Sequence, residues 1–117
     1  MTAAQISALA GFSPINPSAQ PNRWKRQGAI FAIQNNGLDY FPHYGLDPDR
    51  GYRPLKALAP ILARLAGVRR DWGLALWFAS VNSYLGGQRP QDVLKTAPDE
   101  VLAEAEAEAE AAGVLPG

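Results

Sequence analysis

"DWGLALWFASVNSYLGGQRPQDVL", residues 71–94, decides the fold. Apolar residues fall on nearly every side of a helix wound through its first half, and such a helix in a water-exposed protein is expected to be a central element covered on several sides. Trp72, Leu76, Trp77, Phe78 and Val81 are therefore expected in the core. Adjacent helical side chains point about 100° apart, so Trp77 and Phe78 should feed two packing surfaces, the upstream hairpin and the flanking helices. Asp71 is expected to cap this helix, and Asn82 follows its end. The Asn82 amide suits two roles, bonding to backbone groups to fix the next loop or contacting a partner. Gly86-Gly87 then reverses the chain, and Pro90 starts a short helix through Val93 and Leu94.

Upstream, Leu55, Leu58, Ile61, Leu62 and Leu65 form a stripe at helical period. Pro54 suits the first turn of that helix, Pro60 should kink or restart it, and Gly67 should end it. Arg69 and Arg70 are expected to be exposed in the connection. Further back, "AIFAIQNNGLDYFPHYGL" carries Asn36-Gly37, the strongest short hairpin signal, because both residues tolerate the positive φ of a type I′ turn. Ile30, Phe31 and Ile33 form one expected strand, and Leu38, Tyr40 and Phe41 the other, which Pro42 ends. The connector "DPDRGYRP" loosely resembles a calcium loop, but the bidentate glutamate position would fall at Leu58, so calcium binding is rejected.

At the start of the chain, Thr2 is a suitable N-cap, Ile6, Leu9 and Ala10 share a helical face, and Gly11 can close the helix. After a proline-rich loop, Pro21 should open a second short helix through "NRWKRQ" to Gly28. Helix, turn, short basic helix and hairpin together give a helix-turn-helix-like segment followed by a wing-like hairpin. The wing, residues 29–46, contains no Lys or Arg. Downstream, residues 96–99 open a last helix with acidic residues at its positive end. Val101, Leu102, Ala105 and Ala109 give it a thin apolar stripe, and Gly113 and Pro116 stop it. Its Ala-Glu alternation favours helix over strand, and the helix is expected to be solvated. The expected fold is mainly α with one small β-hairpin, divided into residues 1–50 (the helix-turn-helix-like segment and hairpin) and residues 51–117 (a helical region), packed as one folded unit.

Composition narrows the function classes. With 117 residues, the chain can bury roughly two thirds of its unfolded surface and needs no staple to fold. The absence of cysteine excludes disulfides, thiolate metal sites and cysteine nucleophiles. No apolar run approaches the roughly 18 residues of a membrane span, and no basic n-region opens the chain, so a cytoplasmic protein without membrane contact is expected. Residues 1–95 hold all eleven Lys and Arg against five Asp, whereas residues 96–117 hold six acidic residues and no basic one. A basic body with an acidic end suits nucleic acid, a basic protein partner or solubility alone.

No motif for phosphate or nucleotide binding and no serine elbow occurs. His43, the only histidine, lacks an evident acid partner. The chain is therefore expected to be no enzyme and to use no cofactor or metal. Arg23, Lys25 and Arg26 read either as contacts to DNA phosphates, with Trp24 anchoring their helix inward, or as a solvated basic face. Gln88 and Arg89, between the glycine pair and Pro90, suit either a partner carboxylate or a plain loop.

The tryptophan-bearing helix with Trp77, then Asn82, Leu85 with Gly86 and Gly87, Pro90 with Leu94, and the helix around Val101 form a pattern. It resembles the C-terminal toxin-binding domain of Xre/MbcA/ParS-type antitoxins. "IFAIQNNGLDYFP" and "RPLKALAPILARL" are similar to the same group, so the resemblance covers roughly residues 22–112. Phe78 and Val81 stand where the "W-L-x-x-P-N" version has leucine and proline, and a full Xre-type DNA-binding domain does not fit ahead of residue 28. The resemblance implies an antitoxin that binds and silences a RES-type, NAD-consuming toxin and often represses its own operon. The residues expected to bind the partner are Asn82, Tyr84, Gly86, Gly87, Gln88 and Arg89, in a homo-oligomer or a hetero-complex. The alternative is a small winged helix-turn-helix regulator that binds operator DNA through Arg23, Lys25 and Arg26, without a toxin partner.

Overall fold

The computed structural model describes residues 1–12 and 15–113. Its architecture is mainly α, with two small antiparallel hairpins among the described residues. The six α-helices among the described residues are α1 (Ala3–Ala10), α2 (Ala19–Arg26), α3 (Leu58–Leu65), α4 (Trp72–Ala79), α5 (Pro90–Val93) and α6 (Pro98–Ala111).

Helix α1 starts in a full capping box. The Thr2 hydroxyl accepts from the Gln5 backbone N–H, and the Gln5 side chain accepts from the Thr2 N–H. Gly11, at φ 73°, closes it in the left-handed conformation. It packs on α2 with Ile6 fully buried, and the buried Ser7 hydroxyl donates to the Pro17 carbonyl. Eight residues join the two helices, more than the three or four of a helix-turn-helix turn. Helix α2 begins two residues before Pro21, which occupies its third position rather than its first. All four leading N–H groups of a helix lack partners within it, so proline costs nothing there. Trp24 faces inward and meets Phe12 edge-on at 5.6 Å.

The hairpin pairs β1 (Ile33–Asn35) with β2 (Leu38–Tyr40) in the register Ile33–Tyr40, Gln34–Asp39, Asn35–Leu38. Asn36 and Gly37 take φ of 53° and 80°, the two positive values a type I′ turn requires. Ile30 and Phe31, expected in the strand, instead lie ahead of it as buried loop residues. Phe41 exchanges backbone bonds with Met1, which fastens the start of the chain beside the hairpin. A second small ladder, β3 (Leu46–Asp47) with β4 (Arg53–Pro54), folds the connector back on itself. Within it the Asp47 carboxylate accepts from the Asp49 N–H.

Helix α3 starts at Leu58, later than the stripe suggests, because Pro54 is taken by β4. Pro60 is thus also a third-position residue and makes no kink. Leu58, Ile61, Leu62 and Leu65 are its buried face. Helix α6 packs along α3, burying Val101, Ala105 and Ala109, which repeat every four residues on one face. The expected solvated helix is therefore a docked one, with alanine allowing close approach and the glutamates of the other faces meeting water or arginine. Arg64 pairs with Glu106 at 3.8 Å, and Arg69 donates twice to Glu108, so Arg69 is a tether rather than a free corner. Gly113 closes α6 at φ 77°, and the expected stop at Pro116 lies outside the described residues.

Candidate interaction surface

Helix α4 divides its apolar residues between two faces. Leu74, Trp77 and Phe78 are buried. Phe78 is fully enclosed, stacked on Phe31 at 5.7 Å and against Tyr44 at 5.3 Å, while Trp77 meets Phe78 edge-on at 5.0 Å. Trp72, Leu76 and Val81, expected in the core, are 62%, 65% and 73% exposed. Their exposure has a geometric cause. Positions 74, 77 and 78 span about 100° of the helix, and neighbouring elements cover only that arc. Trp72, Leu76 and Ala79 fall on the opposite arc, and Val81 lies past the helix end.

Asp71 does not cap α4 with its side chain. A capping residue has extended backbone, from which its side chain reaches the second or third helical N–H. Asp71 instead enters the helix at φ 52° and ψ −121°, a conformation that a residue with a Cβ rarely adopts.

The corner at residues 82–89 is built from backbone bonds. The Asn82 side-chain oxygen accepts from the Tyr84 N–H at 2.9 Å, and its carbonyl accepts from Gly87 at 2.8 Å and Leu85 at 3.1 Å. The Asn82 N–H donates to the Gln88 carbonyl at 3.1 Å, forming an isolated antiparallel bridge. Gly86 and Gly87 sit at φ 67° and 80°, which only glycine adopts without strain. Leu85 below and the buried Pro90 beyond fix the corner to the core. Arg89 grips Asp92 with two bonds, 2.6 and 3.0 Å, which orients its guanidinium along α5. Asn82 thus serves as the scaffold of the corner, while Tyr84, 66% exposed, stands out from it, and Gln88 and Arg89 are exposed beside it.

Between α4 and the hairpin runs a groove of about 320 Å³. Ile33, Tyr40, Tyr44, Ala75 and Ala79 line it, with Gln91 at one side. Burial holds the Tyr44 phenol well above its ordinary range, so it stays neutral. The groove is not evident from the sequence, because its walls come from two segments that only the fold brings together. The two small residues Ala75 and Ala79, four apart on α4, are its sole sequence trace.

The basic residues of α2 differ in their surroundings. Arg23 and Arg26 are exposed with no ion pair among the described residues, but Lys25 is held by Asp39 of β2 at 2.8 Å. His43 is exposed, with Tyr44 as a ring neighbour at 6.0 Å. Among the described residues no cluster of three His, Asp or Glu side chains is placed to hold a metal ion, and no helix is long and apolar enough to cross a membrane.

Comparison with known protein families, curated proteins and solved structures finds no match to this chain.

Proposed function

We propose that this protein is an antitoxin-like binding module that neutralises a RES-type, NAD-consuming toxin through the corner at residues 82–89. The observation that carries the reading is the contrast within that corner: a backbone locked by Asn82 and the glycine pair displays Tyr84, Gln88 and Arg89 to solvent. A turn that only joined two helices has no need of a large exposed aromatic. Tyrosine and arginine are also the side chains that dominate binding hot spots, and holding them on a rigid frame reduces the entropy lost on association. Asn82, Gly86 and Gly87, which frame the corner, also belong to the pattern that carries the antitoxin resemblance, and that resemblance names the partner class. Co-expression with a RES-domain toxin tests the reading: the toxin should co-purify with this chain, and cellular NAD should be preserved. NAD loss that continues at full expression of this chain contradicts it.

Operator binding is a second reading, favoured by the exposed guanidiniums of Arg23 and Arg26, which have no ion pair among the described residues. It predicts a salt-dependent gel shift that disappears when both become alanine. The pairing of Lys25 with Asp39 and the absence of any cation on the β1–β2 hairpin make the footprint small.

A further inference from the structure

We propose that the outer face of α4 is the contact of a two-fold dimer, in which Trp72 of each copy fills the groove beside Ala79 of the other. Three observations favour a second copy as the occupant over an unrelated partner.

The face carries both halves of a self-complementary fit. Trp72 and Leu76 are exposed at one end and the middle of α4, and Ala75 and Ala79, the latter towards the other end, line the groove with Tyr40 and Tyr44. When two copies of a helix cross antiparallel about an axis near Leu76, residue 72 of one comes opposite residue 79 of the other. The large side chain then meets the small one twice by symmetry, as an isologous contact demands. A groove of about 320 Å³ has room for an indole side chain.

Charge also favours self-pairing. Residues 72–88 contain no Asp, Glu, Lys or Arg in a chain with 22 such residues. A two-fold contact sets each group near its axis against its own copy, so a charged side chain on α4 there would repel itself, and the helix brings none. The one charge at the groove wall, the Met1 ammonium, is held by the Phe41 carbonyl at 2.8 Å. The charges that flank α4, Arg70 and Asp71, lie at one end only. The antiparallel arrangement carries them away from their symmetry mates and towards the uncharged Ser80 of the other copy.

Area sets the strength. The exposed parts of Trp72 and Leu76, with the groove walls and the hairpin residues Leu38 and Tyr40, amount to on the order of 400–500 Å² per copy. The pair therefore buries close to the roughly 1,000 Å² lower limit of specific interfaces. A patch of this size falls within the roughly 300–600 Å² of the largest apolar patch on a typical monomer, which is often functional, and it is only enough for a dimer that dissociates on dilution. The contact uses α4 and the groove, so it stands independently of the toxin reading of the 82–89 corner.

Sedimentation equilibrium of the full chain tests it. The wild type should pass from monomer at low micromolar to dimer at high micromolar concentration. Trp72→Arg and Ala79→Glu, both at exposed positions, should each be monomeric throughout while keeping the wild-type circular dichroism spectrum. A one-to-one mixture of the two should dimerise again, because one contact becomes Arg with Glu and the other stays Trp with Ala. A wild type that is monomeric at every concentration overturns the proposal. So do well-folded single variants that dimerise like the wild type, or a mixture that remains monomeric.

Discussion

Phe78 lies flat against Phe31, ring centroids 5.7 Å apart and planes inclined by 16°, and so joins α4 to the segment that leads into the hairpin. Two positions earlier on the same helix, Leu76 faces water. These neighbours, alike in hydrophobicity, should respond very differently to truncation. Phe78→Ala is expected to cost about 3–5 kcal/mol, since it leaves a cavity among packed rings. Leu76→Ala should stay within about 0.5 kcal/mol of the wild type in the monomer. Urea denaturation at low protein concentration, where self-association is absent, measures both.

Asp71 suggests a substitution in the opposite direction. Its positive φ is a strained backbone for a residue with a Cβ, and its side chain gains no capping bond in return. Asp71→Gly should therefore raise stability by about 1 kcal/mol, the relief of strain outweighing the added freedom of the unfolded chain. Asp71→Ala keeps the Cβ and should give no such gain. Thermal unfolding of the two variants side by side checks this.

How far the sequence foretold these features depended on whether a signal was local. Asn36-Gly37 specifies its turn by its own backbone preferences, and Thr2 and Gln5 their capping box. Local chemistry of that kind survives whatever the rest of the chain does. Helix α4 is the opposite case. With apolar residues on both arcs, periodicity cannot say which arc is covered, and Trp72 and Phe78 look equivalent until their neighbours are known. Prolines misled for a related reason: Pro21 and Pro60 each suit any position of a first turn, so neither fixes where the helix begins. The β3–β4 ladder has two residues per strand and includes Pro54, too short for any alternation to register. In α6 the stripe of Val101, Ala105 and Ala109 is legible, but its side chains are so small that it does not announce how closely the helix docks on α3.

Lys95 controls the titration of a residue far away in the chain. Its ammonium lies 2.8 Å from an Asp49 carboxylate oxygen, and that bond, with the attraction of opposite charges, holds the Asp49 carboxyl below its ordinary value. A depressed carboxylate pKa contributes stability above the unfolded value, and that contribution is lost as pH falls through the folded value. Lys95→Met should raise the Asp49 pKa towards the ordinary aspartate value and remove this part of the acid dependence. An NMR titration of the Asp49 carboxyl carbon measures it. Both groups are exposed, so the effect should also shrink with added salt.

The Gly86-Gly87 pair should be needed for the shape of the corner more than for the stability of the core. Gly87→Ala adds a Cβ that meets no neighbour, yet forces a left-handed backbone on alanine. A loss of about 1 kcal/mol is expected. Hydrogen exchange should locate the loosening in the amides of Tyr84 and Gly87, which the Asn82 oxygens hold.

Isothermal titration of this protein into the RES-domain toxin, with Tyr84→Ala as the paired variant, tests the central claim most directly. The account predicts a saturable interaction that blocks NAD consumption. It also predicts a roughly ten- to thirty-fold weaker complex for Tyr84→Ala with unchanged unfolding, the loss of one exposed aromatic anchor. A wild type that shows no binding, or a Tyr84→Ala variant that binds and inhibits as well as the wild type, would contradict the assignment of the 82–89 corner.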